Sequence, residues 1–326
     1  MATVSRALRG LPNVAPDTRA RVEAAADALR YEIDPQASSL ASGRTMTIGL
    51  VAPLFGTWYA DQVVSGAVPV LSEAGFDLLV ASVHDVASLE SFLTRSRAFG
   101  RRVDGALLID LSMDTAQSAL LDRLGVPVVS VGEILDAIPG VAIDNVGTAR
   151  MAVEHLLDLG HRRIGVLGGA PPTTTVSPVA QRRERGWREA LESAGIEPEP
   201  ALCADGAFAV DGGAAAMAEL LDLADPPTAV FCMSDRMALG ALVTAAARGL
   251  TVPGDISLMG FDDDDLAATF GLTTMRQPVT DIGARAARCL LDHVAGDGPD
   301  GVEVVPVELV VRSTTAPPRG ASNSLT

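Results

Sequence analysis

From Thr47 onward, short apolar runs alternate with amphipathic stretches, and this alternation restricts the fold more than any other feature of the sequence. Strands that alternate with helices form βαβ units, which pack into parallel sheets. The first four runs are T-I-G-L-V-A, F-D-L-L-V-A-S, V-D-G-A-L-L-I and V-P-V-V-S-V, and helices are predicted between them at 60–74, 87–99 and 114–124.

The same rhythm restarts after Asp144. It predicts helices at 146–159, 180–194, 211–223 and 235–247, and strands at R-I-G-V-L-G, T-A-V-F-C-M and I-S-L-M-G-F. The helix at 146–159 has one continuous apolar face and is followed by Gly160, a typical helix stop. Because 326 residues are too many for a single compact core, the sequence predicts two Rossmann-like halves.

Composition excludes several classes of protein. The longest apolar runs are far too short to span a membrane, and Ser5, Arg6 and Arg9 interrupt any secretory signal. The three cysteines are odd in number and widely spaced, which suits neither a disulfide framework nor a metal site. We therefore expect a cytoplasmic protein with reduced cysteines and with no metal ion or cofactor.

Charge is distributed unevenly along the chain. The formal net charge is −16, so the protein as a whole offers no basic field to nucleic acid. Residues 1–46, in contrast, carry six arginines against five acidic residues. The sequence therefore places any nucleic-acid contact in this N-terminal segment.

The N-terminal segment predicts two helices. Residues 16–30 form the second, with Pro16 at its first position. The shorter first helix has Val4 and Leu8 on one side and Arg6 on another. The arginine side could meet DNA or could be an ordinary solvated helix face, and periodicity alone leaves both interpretations open.

Five segments follow one another along the chain in a distinctive order. They are T-V-S-R-A-L-R-G-L-P-N-V-A-P-D-T-R-A-R-V-E-A-A-A-D-A-L-R-Y with the following D-P-Q-A-S-S-L-A-S-G-R-T, then D-N-V-G-T-A-R-M-A-V-E-H-L-L-D-L-G-H-R-R-I, S-D-R-M-A-L-G-A-L, G-F-D-D and L-T-T-M-R-Q-P. Together they resemble the LacI family of bacterial transcription repressors. The resemblance covers nearly the whole chain.

The resemblance implies an α/β fold with two Rossmann-like subdomains of the periplasmic-binding-protein-like type, preceded by a partial, all-α helix-turn-helix headpiece and a hinge helix. The expected boundaries are 1–33 for the headpiece, 34–45 for the hinge helix and linker, 46–316 for the effector-binding core and 317–326 for a disordered tail. Within the core, one subdomain is expected at about 46–144 and 277–307, and the other at about 145–276 and 308–316.

The resemblance also implies which residues meet DNA. The helix beginning near Ala2 corresponds to the recognition helix, which enters the major groove. Arg6 is expected to read a base edge, and Leu40 to wedge into the minor groove as the hinge leucine, although Leu40 could instead pack against the core. The other candidates for DNA contact are Thr3, Ser5, Arg9 and Thr18.

Ligands of this fold class bind between the two halves, at the carboxyl ends of the strands. By the resemblance, Trp58 and Tyr59 match an aromatic stacking loop and Arg183 an arginine that bonds effector oxygens. Helix-start packing for the aromatics and a solvated helix face for Arg183 remain alternatives. The further candidates are Asp144, Asn145, Phe208, Ser234, Asp235 and Asp262. Such a set suits a sugar, which we favour, and also a nucleobase.

The function implied is a homodimeric repressor that binds a pseudo-palindromic operator and is controlled by a small-molecule effector. No catalytic residue is predicted, since H-E-x-x-H, G-x-S-x-G and Walker motifs do not occur. A freestanding solute-binding receptor would need an export signal. Because Met1 falls where the recognition helix begins, the family's first headpiece helix has no counterpart in this chain, and an effector-binding protein that dimerises without binding DNA is the alternative.

We expect the reading frame to continue upstream of Met1 and to encode an amphipathic helix followed by a short turn, because two helices alone offer little core to offset their ordering. In gel-shift assays the extended chain should bind a palindromic duplex with steep salt dependence, and the present chain weakly or not at all. An in-frame stop directly upstream, with no operator binding by this chain, would favour the effector-binding alternative.

Overall fold

The structure is a computed structural model, and it describes residues 2–8, 12, 14–29, 44–53, 56–135, 137–168 and 177–319. Residues 34–43 of the predicted hinge and linker, with Leu40, lie outside these residues, as do Arg9 and the end of the predicted tail from 320 onward.

Two helices form the N-terminal part. They are α1 (Ala2–Leu8) and α2 (Pro16–Leu29). Ala7 of α1 is buried, and the Arg19 Nη1 of α2 donates to its carbonyl oxygen at 3.5 Å. Val4 and Leu29, in contrast, are 46% and 79% exposed. Contact between the two helices therefore covers only part of their apolar surface.

The chain then builds a first α/β lobe. Its elements are β1 (Thr47–Ala52), α3 (Trp58–Glu73), β2 (Asp77–Ser82), α4 (Val86–Thr94), α5 (Ser96–Gly100), β3 (Gly105–Ile109), α6 (Thr115–Leu121), a 3₁₀ turn (Asp122–Leu124), β4 (Val128–Val131) and β5 (Gly140–Ala142). The predicted helix at 87–99 is thus divided at Arg95, which leaves the helical region.

A second α/β lobe follows along the chain. Its elements are α7 (Asn145–Asp158), β6 (Ile164–Gly168), α8 (Val179–Ser193), a 3₁₀ turn (Pro200–Leu202), β7 (Cys203–Asp205), α9 (Val210–Leu221), β8 (Ala229–Cys232), α10 (Asp235–Ala247), β9 (Ser257–Asp262) and β10 (Thr273–Arg276). After β10 come α11 (Val279–Ala295) and β11 (Val302–Val304), which return to the first lobe, and then β12 (Glu308–Val310), which joins the second sheet.

Each lobe contains one six-stranded sheet. The strand order is β11-β5-β4-β3-β1-β2 in the first lobe and β12-β10-β9-β8-β6-β7 in the second. The described pairings are parallel except that β12 runs antiparallel to β10. The predicted α/β class with two Rossmann-like halves is confirmed. Within the described residues, no helix is long and apolar enough to cross a membrane.

One acidic side chain fixes the point at which the chain enters the first sheet. The Asp104 carboxylate, just before β3, accepts hydrogen bonds from the backbone amides of Thr45 at 2.7 Å and Met46 at 2.9 Å. The Thr45 hydroxyl adds a third bond at 3.0 Å. The chain arriving from the N-terminal helices is therefore held to the start of β3.

Helices α3 and α11 pack through two glycines at very short range. A Cβ atom on Gly66 would lie 1.8 Å from the Thr280 carbonyl oxygen, and one on Gly283 would lie 2.1 Å from that of Val63. Side chains at these positions would collide with backbone, which has little freedom to move. This contact holds α11 against the first lobe, although it lies far along the chain from α3.

We predict that Gly66→Ala lowers the free energy of unfolding by about 1–3 kcal/mol, because the added methyl group forces α3 and α11 apart. Urea denaturation followed by circular dichroism measures the change. The exposed Ser65→Ala on the same helix is the control and should leave stability within about 0.5 kcal/mol. Equal stability of the two variants would contradict the close packing.

Candidate ligand-binding site

A cavity of about 320 Å³ lies between the two lobes, at the carboxyl ends of their parallel strands. Five residues predicted for the ligand line it: Tyr59, Asn145, Arg183, Phe208 and Asp262. The wall also contains polar side chains that the sequence argument did not select, among them Thr57, His84, Asp110, Ser177 and Gln277. The structure therefore places aromatic, acidic, amide and basic groups around one space.

Arg183 of α8 forms the fixed centre of the second lobe's wall. It is only 4% exposed, and its Nε donates to the Asn145 Oδ1 at 2.9 Å. Its Nη1 donates to the carbonyl oxygen of Met233, and the guanidinium lies 3.5 Å from the centre of the Phe261 ring. Burial lowers the pKa of Arg183, while Asp262 opposes that shift. Arg183 thus faces the cavity and does not belong to a solvated helix face.

Asp262 ends β9 beside this guanidinium, with its Oδ1 3.9 Å from the Arg183 Nη1. The Gln277 Nε2 donates to the same oxygen at 2.6 Å. A backbone φ of 125° at Asp262 is rare for a residue with a side chain. Burial raises the pKa of Asp262 to about 7, with Arg183 acting in the opposite direction. Burial thus disfavours the charged form of this carboxyl, and Arg183 and Gln277 favour it.

Two contacts join the lobes across the cleft. Asp110, which follows β3, accepts a hydrogen bond from the Ser177 hydroxyl at 2.6 Å. Glu133, which follows β4 and is 2% exposed, pairs with Arg182 of α8. Burial raises the pKa of Asp110 to about 6 and that of Glu133 to about 7. Both acids come just after buried strands, the same signal that selected Asp144, so the sequence could have indicated them.

Two aromatic residues face the cavity from opposite lobes. Tyr59 is the second residue of α3, and its hydroxyl lies so close to Gly132 that a Cβ there would be 2.2 Å away. Burial raises the pKa of this hydroxyl. Phe208, together with Ala207, lies in a left-handed turn before α9, with φ of 52°. Trp58 packs against the core and does not line the cavity.

Three further predicted ligand residues have structural roles. Asp144 caps α7 by accepting from the Gly147 amide at 2.9 Å, and Ser234 caps α10. Asp235 is fully buried and accepts from the Thr274 hydroxyl at 2.6 Å. None of the three lines the cavity. Polar residues after strands serve both as helix caps and as ligand contacts, and the sequence does not separate these roles.

The residues predicted for DNA contact lie in the N-terminal helices. Thr3 and Arg6 are exposed on α1, and Thr18 is half-buried on α2. The side chain of Ser5, and Arg9 and Leu40 entirely, lie outside the described residues. Their contact with DNA stays a prediction. Among the residues that the structure describes, no group of His, Cys, Asp and Glu could hold a metal ion.

Two α/β lobes with a polar cleft between their strand ends define a periplasmic-binding-protein-like ligand-binding protein. The family model of the periplasmic binding protein-like domain matches residues 153–315. The HTH-type transcriptional regulator CelR of Thermobifida fusca is 37% identical over 324 residues, covering 96% of this chain and 94% of the relative. The HTH-type transcriptional repressor CytR of Escherichia coli K12 is 35% identical, covering 96% and 92%.

Solved structures agree. A CelR–cellobiose complex matches with a TM-score of 0.72 and 35% identity, covering 96% of this chain and 95% of that one. A lac repressor dimer bound to operator and the anti-inducer ONPF matches with a TM-score of 0.86 and 28% identity, covering 97% and 95%. This chain belongs to the LacI family of transcriptional regulators.

Glu133 gives a pH test of the contact across the cleft. An acid whose pKa is raised by folding binds its proton more tightly when folded, so ionising it costs stability as pH rises. We predict that the stability of Glu133→Gln, relative to the unmodified chain, increases between pH 5 and 8, by no more than about 1.4 kcal/mol per pH unit.

Urea denaturation at several pH values measures this difference. The exposed Glu154→Gln, measured in parallel, is the control for replacing a carboxylate with an amide. A constant difference for Glu133→Gln would mean that the folded state does not disfavour the ionised Glu133.

Proposed function

We propose that this chain is a cytoplasmic, homodimeric transcriptional repressor whose affinity for a pseudo-palindromic operator is set by a sugar bound in the cleft. The observation that carries the proposal is that one chain combines two N-terminal helices with a two-lobed core whose cleft is polar and aromatic. The solved relatives support both partners, since one contains cellobiose and another is a dimer on its operator.

The cavity chemistry supports a sugar as the effector. Sugar rings carry apolar faces that stack on aromatic rings and hydroxyls that donate to carboxylates and accept from guanidinium groups. Tyr59 and Phe208 supply the rings, and Asp262 and Arg183 the polar partners. Arg183 is held before any ligand arrives, because its Nε is bonded to Asn145. Such a site needs little reorganisation on binding.

The effector would act by stabilising one arrangement of the two lobes relative to another. Asp110 belongs to the first lobe, and Arg183 and Asp262 belong to the second, so a ligand bonded to all three favours one separation of the lobes. A ligand shifts such an equilibrium only by its difference in affinity for the two states, typically 1–3 kcal/mol in allosteric proteins. We assign the cavity a binding role without catalysis, in keeping with relatives that are transcriptional regulators.

We predict that Arg183→Gln weakens sugar binding about 10- to 100-fold, because hydrogen bonds to charged groups contribute about 1.5–3 kcal/mol. Calorimetry with a panel of neutral disaccharides that includes cellobiose measures the affinity. Phe208→Leu, which removes a ring without removing charge, should also weaken binding, while its melting temperature shows that the fold persists.

Arg185→Gln is the matched control, since this neighbouring side chain on α8 is 63% exposed. It should bind the same sugar with unchanged affinity. Unchanged affinity in both Arg183→Gln and Phe208→Leu would place the effector elsewhere. Operator binding that no bound ligand alters would contradict the regulatory role of the cleft.

A further inference from the structure

The amino-terminal edge of the first sheet carries a charge pattern that the cleft does not use. Arg101 and Arg102 precede β3, and Arg123 precedes β4, so all three stand before strands in the middle of the sheet. All three are exposed, and we name them the edge arginines. Among the acidic residues at this edge, Asp77 begins β2 and Asp300 precedes β11 at the opposite ends of the sheet, whereas Asp104 and Asp122 lie beside the edge arginines.

Backbone packing brings the edge arginines together. Helix α5 ends at Gly100, where a Cβ atom would lie only 1.9 Å from the carbonyl oxygen of Leu124. Arg101 directly follows Gly100, and Arg123 directly precedes Leu124. The two segments therefore meet at one place, which a substitution of a side chain on the surface would not disturb.

The chain from the N-terminal helices enters the core at the same place. Asp104, two residues after Arg102, holds the backbone amides of Thr45 and Met46. Its carboxylate is thus engaged by the entering chain. In the described part of the chain, none of the edge arginines lies within ion-pairing distance of a carboxylate, whereas Arg248 and Arg285 elsewhere on the core surface are both paired.

We propose that the edge arginines bind DNA phosphates that flank the operator, and this inference rests on the proposed function. A chain with a net charge of −16 repels DNA, and its core must nevertheless approach the duplex wherever the headpiece binds. Arginines at the point of entry offset that repulsion, and each phosphate they neutralise releases condensed counterions. The DNA-binding surface then extends beyond residues 1–46, to which the sequence argument confined it.

The test compares Arg101→Gln/Arg102→Gln with a control that removes the same charge from the second lobe, Arg150→Gln/Arg185→Gln. Fluorescence anisotropy measures binding to a duplex of about 40 base pairs, selected from a random pool by whichever form of the unmodified protein binds DNA, at about 50–200 mM KCl. The same proteins are measured on a duplex of about 20 base pairs trimmed to the selected site. Each protein is prepared as the present chain and with the upstream helix described above.

On the longer duplex, we expect the edge variant to bind about tenfold more weakly. Its logarithmic salt dependence should be shallower by about four, because a homodimer loses two arginines from each protomer and each of them neutralises about one phosphate in the unmodified protein. The control should match the unmodified chain on both duplexes. On the short duplex, all three proteins should bind alike, because the flanking phosphates are absent.

Other outcomes overturn the inference. Equal losses in the edge variant and the control would show a general effect of net charge, and a loss of equal size on both duplexes would place the contact within the operator. Unchanged binding of the edge variant would show that the edge arginines do not contact DNA, without contradicting the proposed repressor function. If the unmodified protein bound no duplex in either form, the proposed function would fail and the inference with it.

Discussion

The second lobe is organised by the need to satisfy one buried cation. A guanidinium taken out of water costs several kcal/mol unless other groups replace its hydration. Arg183 meets that requirement with an amide oxygen from the start of α7, a carbonyl oxygen from the end of β8 and the face of a ring in β9. Three elements of the second lobe must therefore each place a group within reach of the Arg183 side chain. The cleft wall is built by that convergence.

The acidic residues of the cleft are also buried charges that need partners. Asp110, Glu133 and Asp262 are all buried enough to raise their pKa values toward neutrality, and each has one firm partner that keeps it in place. Ser177 and Arg182 belong to the lobe opposite their acidic partners, and Gln277 lies where the chain passes from the second lobe back to the first. A ligand that enters must compete with these contacts, so the strength of binding includes the cost of breaking or preserving them.

Sequence reasoning predicted the elements whose pattern is long and strongly apolar. It predicted most buried strands of both sheets and the helix face that ends at Gly160, but it predicted none of β7, β11 and β12, which have three residues each and leave too short a pattern. Helix α11 was also missed, although Val279, Ile282 and Leu290 lie on its buried face at helical spacing and could have indicated it.

The site was predicted in part for a related reason. Arg183 and Asp262 were selected by family resemblance and Asn145 by its position after a strand, and all three line the cavity. Asp144, Ser234 and Asp235 share the position after a strand, yet their side chains cap helices or bond to Thr274. Whether a polar residue at such a position binds its own backbone or a ligand depends on the direction of the chain beyond it. Local sequence carries little information on that direction.

A carboxylate flanks each end of strand β3, and the two carboxylates bind different parts of the chain. Asp104 holds the chain that arrives from the N-terminal helices, and Asp110 reaches Ser177 across the cleft. The six residue steps between them span about 20 Å. Because β3 is hydrogen-bonded on both sides, to β1 and to β4, it can tilt or translate but cannot stretch. It is therefore a segment of fixed length between the cleft and the place where the chain from the N-terminal helices enters the core.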